Sequence, residues 1–164
     1  MLKKIIKFPF MYVCGGANYR TKLYIRLILL FKQNSVLFLS NYFANRLQKK
    51  QGIFISPKAS FDASLSLSHP VGVVIGEGVK IGKAVIIYQN VTLGGGRLGD
   101  AKVNNYPEVG DNTIIFAGAV IIGKIKVGAN CIVGANAVVT KDVPDGAVAV
   151  GVPARIILKS KNDD

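Results

Sequence analysis

Residues 109–139 read VGDNTIIFAGAVIIGKIKVGANCIVGANAVV, and this stretch decides the fold. Stepping by six from Val109 gives Ile115, Ile121, Val127, Val133 and Val139, all aliphatic. The same step runs upstream through Ile75, Ile81, Ile87 and Leu93. Four residues after each of these, Leu93 excepted, stands a second small or medium side chain: Val79, Val85, Val91, Thr113, Ala119, Ile125, Cys131, Ala137 and Val143. A helix needs apolar residues about every 3.6 positions and a two-sided strand about every 2, so a period of six fits neither alone. It fits a triangular coil, each hexapeptide making one flat face and one corner. Three hexads return the chain beside its start, about 4.8 Å along the axis. Glycine after the aliphatic residue, as in Ile75-Gly76, Val109-Gly110 and Val133-Gly134, suits such corners.

The rhythm breaks twice. A weaker set of hexads at Ile55, Phe61 and Leu67 precedes Ile75 by eight residues rather than six, so the slip falls at Ser68-His69-Pro70-Val71-Gly72. Between Leu93 and Val109, Gly94-Gly95-Gly96-Arg97-Leu98-Gly99-Asp100-Ala101 reads as an extruded loop. Insertions in repeat proteins gather on binding faces, which makes both breaks candidate sites.

Upstream of the repeat the composition changes. Of the net charge of +12, residues 1–50 hold ten basic side chains and no acidic one, whereas residues 51–164 hold eleven basic and nine acidic. Nine of the fourteen aromatics also lie in this first segment. Thr21 to Gln33 and Ser35 to Lys50 each read as a helix, with Cys14-Gly15-Gly16 a break before them. Their apolar runs are too short to span a bilayer, which takes about 20 residues. Two roles are open: a cap on the exposed end of the coil, or a basic helix pair in peripheral contact with an anionic membrane through residues 1–50. No reading motif for nucleic acid accompanies the charge, so no nucleic-acid partner is expected. Lysines and arginines interrupt the start, and no small-residue cleavage site follows, which argues against a signal peptide. Cys14 and Cys131 lack any CxxC or His-rich setting, so neither a disulfide framework nor a metal site is expected, and a cytoplasmic location fits.

His69 is the single histidine, the one side chain whose ordinary pKa allows proton exchange near neutrality, and it sits in the slip rather than at a core position. Ser68-His69-Pro70-Val71-Gly72-Val73-Val74-Ile75-Gly76-Glu77 and Gln89-Asn90-Val91-Thr92-Leu93-Gly94-Gly95 resemble serine O-acetyltransferase. The tail Gly151-Val152-Pro153-Ala154-Arg155-Ile156 is similar to the end of the same hexapeptide-repeat acyltransferase superfamily. The resemblance implies a left-handed parallel β-helix over residues 52–158, between the basic helical segment read above, taken as 1–51, and a tail over 159–164. It also implies a homotrimer with acetyl-CoA, used as co-substrate without a metal, in the groove between neighbouring copies. By resemblance His69 is the general base, Ala117 and Ala135 leave room for the pantetheine arm, and Thr140, Lys141 and Arg155 face the nucleotide end. Ser68, Gly94, Gly95, Asn105 and Tyr106 fall on the acceptor side, the glycine backbone being suited to an oxyanion.

Three positions depart from serine acetyltransferase. Phe54 stands where a carboxylate should orient the histidine, Asn105-Tyr106 replaces an Arg-His pair, and Ser68 replaces an Asp. Fewer charged partners for a zwitterion direct the expectation to a neutral acceptor, a sugar of a surface polysaccharide or its precursor, with serine as the alternative. A non-catalytic trimeric scaffold is the competing reading.

Overall fold

The computed structural model describes residues 16–100 and 102–158. Cys14, Gly15 and the tail at 159–164 lie outside the described residues.

Fifteen short strands among these residues form three sheets, one for each side of a prism. The first coil is β1 (Phe54–Ile55), β2 (Ser60–Phe61) and β3 (Ser66–Leu67); the second is β4 (Val74–Ile75), β5 (Lys80–Ile81) and β6 (Ile86–Ile87). The third coil holds β7 (Thr92–Gly94), β8 (Glu108–Val109) and β9 (Ile114–Ile115), and the fourth β10 (Val120–Ile122), β11 (Lys126–Val127) and β12 (Ile132–Val133). β13 (Val138–Val139) and β14 (Val148–Val150) belong to the last coil, and β15 (Arg155–Ile157) returns antiparallel on β14 to close that end. Every other strand pair is parallel, with the hexad aliphatics in register: Ile55 beside Ile75 beside Leu93 beside Ile121 on the first face, and Leu67 beside Ile87 beside Ile115 beside Val133 on the third. Both inward rows expected from the period are buried, apart from Ile125, which is half-buried against the core.

The outward rows differ by face. On the second face Ser60, Lys80, Glu108 and Lys126 follow one another, with Lys80 and Glu108 in a 2.6 Å ion pair. The first face instead presents Phe54, Val74, Thr92, Val120 and Val138, and the third Ser66, Ile86, Ile114, Ile132 and Val148. Two largely apolar faces therefore flank one corner.

At the other end, helices α1 (Ala17–Gln33) and α2 (Leu37–Gln51) cover the first coil. α1 starts four residues before the expected Thr21; its N-cap is Gly16, with no side-chain cap to mark it. Leu47, Ile25 and Ile28 join Ile53 and Ile55 in one core, and the Lys32 ammonium donates to the Ala59 carbonyl at 2.7 Å. Burial there holds the Lys32 pKa below its ordinary value. The hairpin is a cap, and it removes the sheet edge that the first coil would otherwise expose.

Candidate active site

The slip is an outward turn at the corner between the third and first faces, pinned by backbone. Ser68 N–H donates to Ile87 O at 2.8 Å, Asn90 N–H to Val71 O at 2.9 Å, and Gly72 N–H to Gly52 O at 3.1 Å. Between these anchors His69 takes a left-handed conformation, φ 50°, which most side chains avoid. Gly72 is left-handed too, at φ 66°, and a Cβ there would collide with the Asn90 side-chain oxygen. Pro70 is buried while the His69 ring is exposed. That ring lies 6.3 Å from Tyr88, tilted by 41°, and Tyr88 in turn stacks on Phe116 at 5.1 Å. The ring makes no side-chain hydrogen bond among the described residues. Phe54 is an exposed ring on the first face and supplies no orienting carboxylate.

Ser68, Tyr88, Phe116 and Gly134 each follow the inward aliphatic residue of the third face, so they stack at the same corner. Ala117 and Ala135 come next after Phe116 and Gly134 and continue the column, half-buried and exposed respectively. Arg155 pairs with Val150 beyond them and is exposed. One corner thus carries the imidazole, two small residues and a guanidinium in order along the axis.

The remaining expected residues sit at the corner between the first and second faces. Gly94 O accepts from Gly123 N–H at 3.0 Å, and the loop that leaves here is closed by Asp100, which is 7% exposed. Its carboxylate accepts from Arg97 N–H at 2.6 Å and from the Asn105 amide at 2.9 Å. The Asn105 hydrogen bond above all, with the Arg97 and Gly96 backbone N–H groups, holds the Asp100 carboxyl below the usual range. A Cβ on Gly95 would press on Asp100, which accounts for that glycine by loop closure. Asn105 is engaged inside the loop, and Tyr106 is half-buried against Gly76 and Gly78. Thr140 and Lys141 are exposed at the same corner one coil past Ile122. A cleft of about 490 Å³ opens beside them, lined by Gly78, Lys80, Asn104, Tyr106, Glu108 and Lys126, and His69 is not among its walls.

One chain therefore does not unite the expected site. His69, Ser68, Ala117, Ala135 and Arg155 share a corner; Gly94, Gly95, Asn105, Tyr106, Thr140 and Lys141 share the next, across the width of the first face. Tyr88, Phe116 and Asp100 escaped the sequence reading. The first two had a signal, since each holds the hexad position of Ser68. The Cys131 thiol is buried, its pKa pushed up by that burial, which suits a core filler rather than a nucleophile.

A family model described as bacterial transferase hexapeptide (six repeats) matches residues 106–141. Fold, repeat and match are similar to those of the hexapeptide-repeat acyltransferases. Among these the chain is similar to serine acetyltransferases. It is 43% identical over 126 residues to that of Buchnera aphidicola, covering 77% of this chain and 48% of the relative. With that of Mycobacterium tuberculosis it is 47% identical over 110 residues, 67% of this chain and 47% of the relative. Among solved structures, soybean serine acetyltransferase complexed with serine superposes with a TM-score of 0.78 at 34% identity, covering 90% of this chain and 60% of that one. A serine acetyltransferase complex with CoA gives 0.76 at 32% identity, again with 90% of this chain and 60% of the other. A coil of opposite hand would not superpose in this way, so the β-helix is left-handed. The chain spans about half the length of the curated relatives it matches.

Proposed function

We propose that this chain is an acetyl-CoA-dependent O-acetyltransferase that moves the acetyl group directly to an acceptor hydroxyl, with His69 as general base. The observation that carries this reading is the exposed, left-handed His69 at the head of a corner column of small residues ending in a cation. A neutral imidazole takes the acceptor proton as its oxygen attacks the thioester carbonyl, so no free alkoxide forms and no acyl-enzyme is needed. The tetrahedral oxyanion is met by the backbone N–H of Gly95, since Gly94 is paired in the ladder with Ile122. Ala117 and Ala135 admit the pantetheine arm along the corner, while Arg155, Lys141 and Thr140 receive the anionic nucleotide end.

Because these groups occupy two corners of one chain, the reading requires a neighbouring copy. The two largely apolar faces that border the His69 corner supply the surface for it, and a homotrimer about that corner sets one copy's imidazole near the next copy's glycine loop.

Serine is the acceptor the relatives favour, by name and by the serine complex of the soybean enzyme. A neutral acceptor such as a sugar remains a second reading on one observation: Ser68, Pro70, Val71, Tyr88 and Phe116 around His69 are all uncharged. Thiol release from acetyl-CoA decides between them. Acceptor-dependent release with L-serine supports the first, release only with sugars supports the second, and release with neither across a broad hydroxyl panel ends the enzymatic reading.

A further inference from the structure

The capping hairpin carries a surface that the acyl-transfer site does not use. Around the α1–α2 turn Leu30, Val36, Leu37, Phe38 and Tyr42 are all exposed, Phe38 by 78% and Leu37 by 58%. Residues 16–51 contain Arg20, Lys22, Arg26, Lys32, Arg46, Lys49 and Lys50 and no acidic residue. The two features are ordered along the helices. Lys22, Arg26 and Leu30 recur every fourth residue, so they share one outward stripe of α1. Phe38, Tyr42 and Lys49 lie at i, i+4 and i+11 on the outward side of α2, opposite the buried Ser40, Ala44 and Leu47. Each stripe is apolar at the turn and cationic farther back, by roughly 6 to 16 Å at 1.5 Å per residue.

We infer that the hairpin turn docks this protein on an anionic membrane surface, Leu37 and Phe38 entering the interfacial region while the lysines and arginines behind them meet lipid phosphates. An inserted apolar edge of about 5–10 Å backed by cations is what such a surface accepts. A second hairpin is a poor occupant, because two like-charged surfaces without a single carboxylate repel. Among the described residues no helix is long and apolar enough to cross a bilayer, so the contact is peripheral.

Vesicle co-sedimentation of the full chain tests this, comparing phosphatidylcholine alone with phosphatidylcholine containing phosphatidylglycerol. The expected result is binding to the anionic vesicles that weakens with salt. Replacing both Leu37→Ser and Phe38→Ser should weaken it by at least about tenfold, since two large apolar side chains no longer leave water. The doubly substituted chain should keep the circular dichroism and the particle mass of the parent. Equal binding to neutral vesicles, no binding to either, or undiminished binding by the substituted chain would each overturn the inference. So would a lower particle mass on substitution, which would assign the patch to contact between copies.

Discussion

The two interruptions of the hexad rhythm are built from opposite materials. At the slip, the backbone hydrogen bonds of Ser68, Val71 and Gly72 fix the chain, and the His69 side chain is left projecting, with the Tyr88 ring 6.3 Å away. At the extruded loop, a buried side chain does the fixing: Asp100 accepts from the Arg97 N–H and from the Asn105 amide, and so takes up the amide that the loop might have offered outward. The contrast teaches where function resides in a stiff repeat. A group meant for a substrate is held by its backbone and left unsatisfied, while a group that is fully hydrogen-bonded inside its own loop is architecture.

The hardest blow to this contrast is His69→Ala. If the slip exists to present an imidazole, its loss lowers turnover by about two to four orders of magnitude, the usual contribution of a general base, with thermal stability and particle mass unchanged. Steady-state thiol release together with a melting curve measures both. An unchanged rate would reduce the slip to a packing irregularity.

Next in size is Gly72→Val, aimed at the backbone rather than the side chain it presents. A β-branched residue at φ 66° is strained, and although the exposed Asn90 side chain can swing clear of its Cβ, the backbone strain stays in the turn. About 1–3 kcal/mol of stability should be lost, read as a lower denaturation midpoint, with activity falling although His69 is intact. A variant that keeps full activity would mean that the turn does not aim the ring.

Much of this was legible before any coordinates. Period, inward rows and both breaks follow from the positions of Ile75, Leu93, Val109 and their successors, because a narrow prism tolerates only aliphatic side chains at its axis. Three hexads per coil even encode the corner shared by Ser68, Tyr88 and Phe116. What was not legible is contact set by irregular backbone. Nothing in the spacing of Gly95, Asp100 and Asn105 announces that the three meet, so Asn105 read as a free acceptor-side amide. Nor does periodicity report which faces are outwardly apolar until the corners are assigned.

The smallest effect belongs to Asp100. Asp100→Ala removes the acceptor for Arg97 N–H and for the Asn105 amide, but it leaves every coil hydrogen bond in place. The expected outcome is faster amide exchange confined to the loop, with the strands and the denaturation midpoint nearly unchanged. The same staple gives a pH dependence with a definite sign. Because folding depresses the Asp100 pKa, the carboxylate's contribution is fully present above the ordinary aspartate value of about 3.9 and is lost as pH falls through the lower folded value. Loop exchange, corrected for its intrinsic pH dependence, should therefore rise only in strong acid in the parent and be flat in Asp100→Ala. A variant whose loop exchanges as slowly as the parent's would show that glycine and proline geometry alone shape the insertion, and the distinction drawn between the two interruptions would fail at this one.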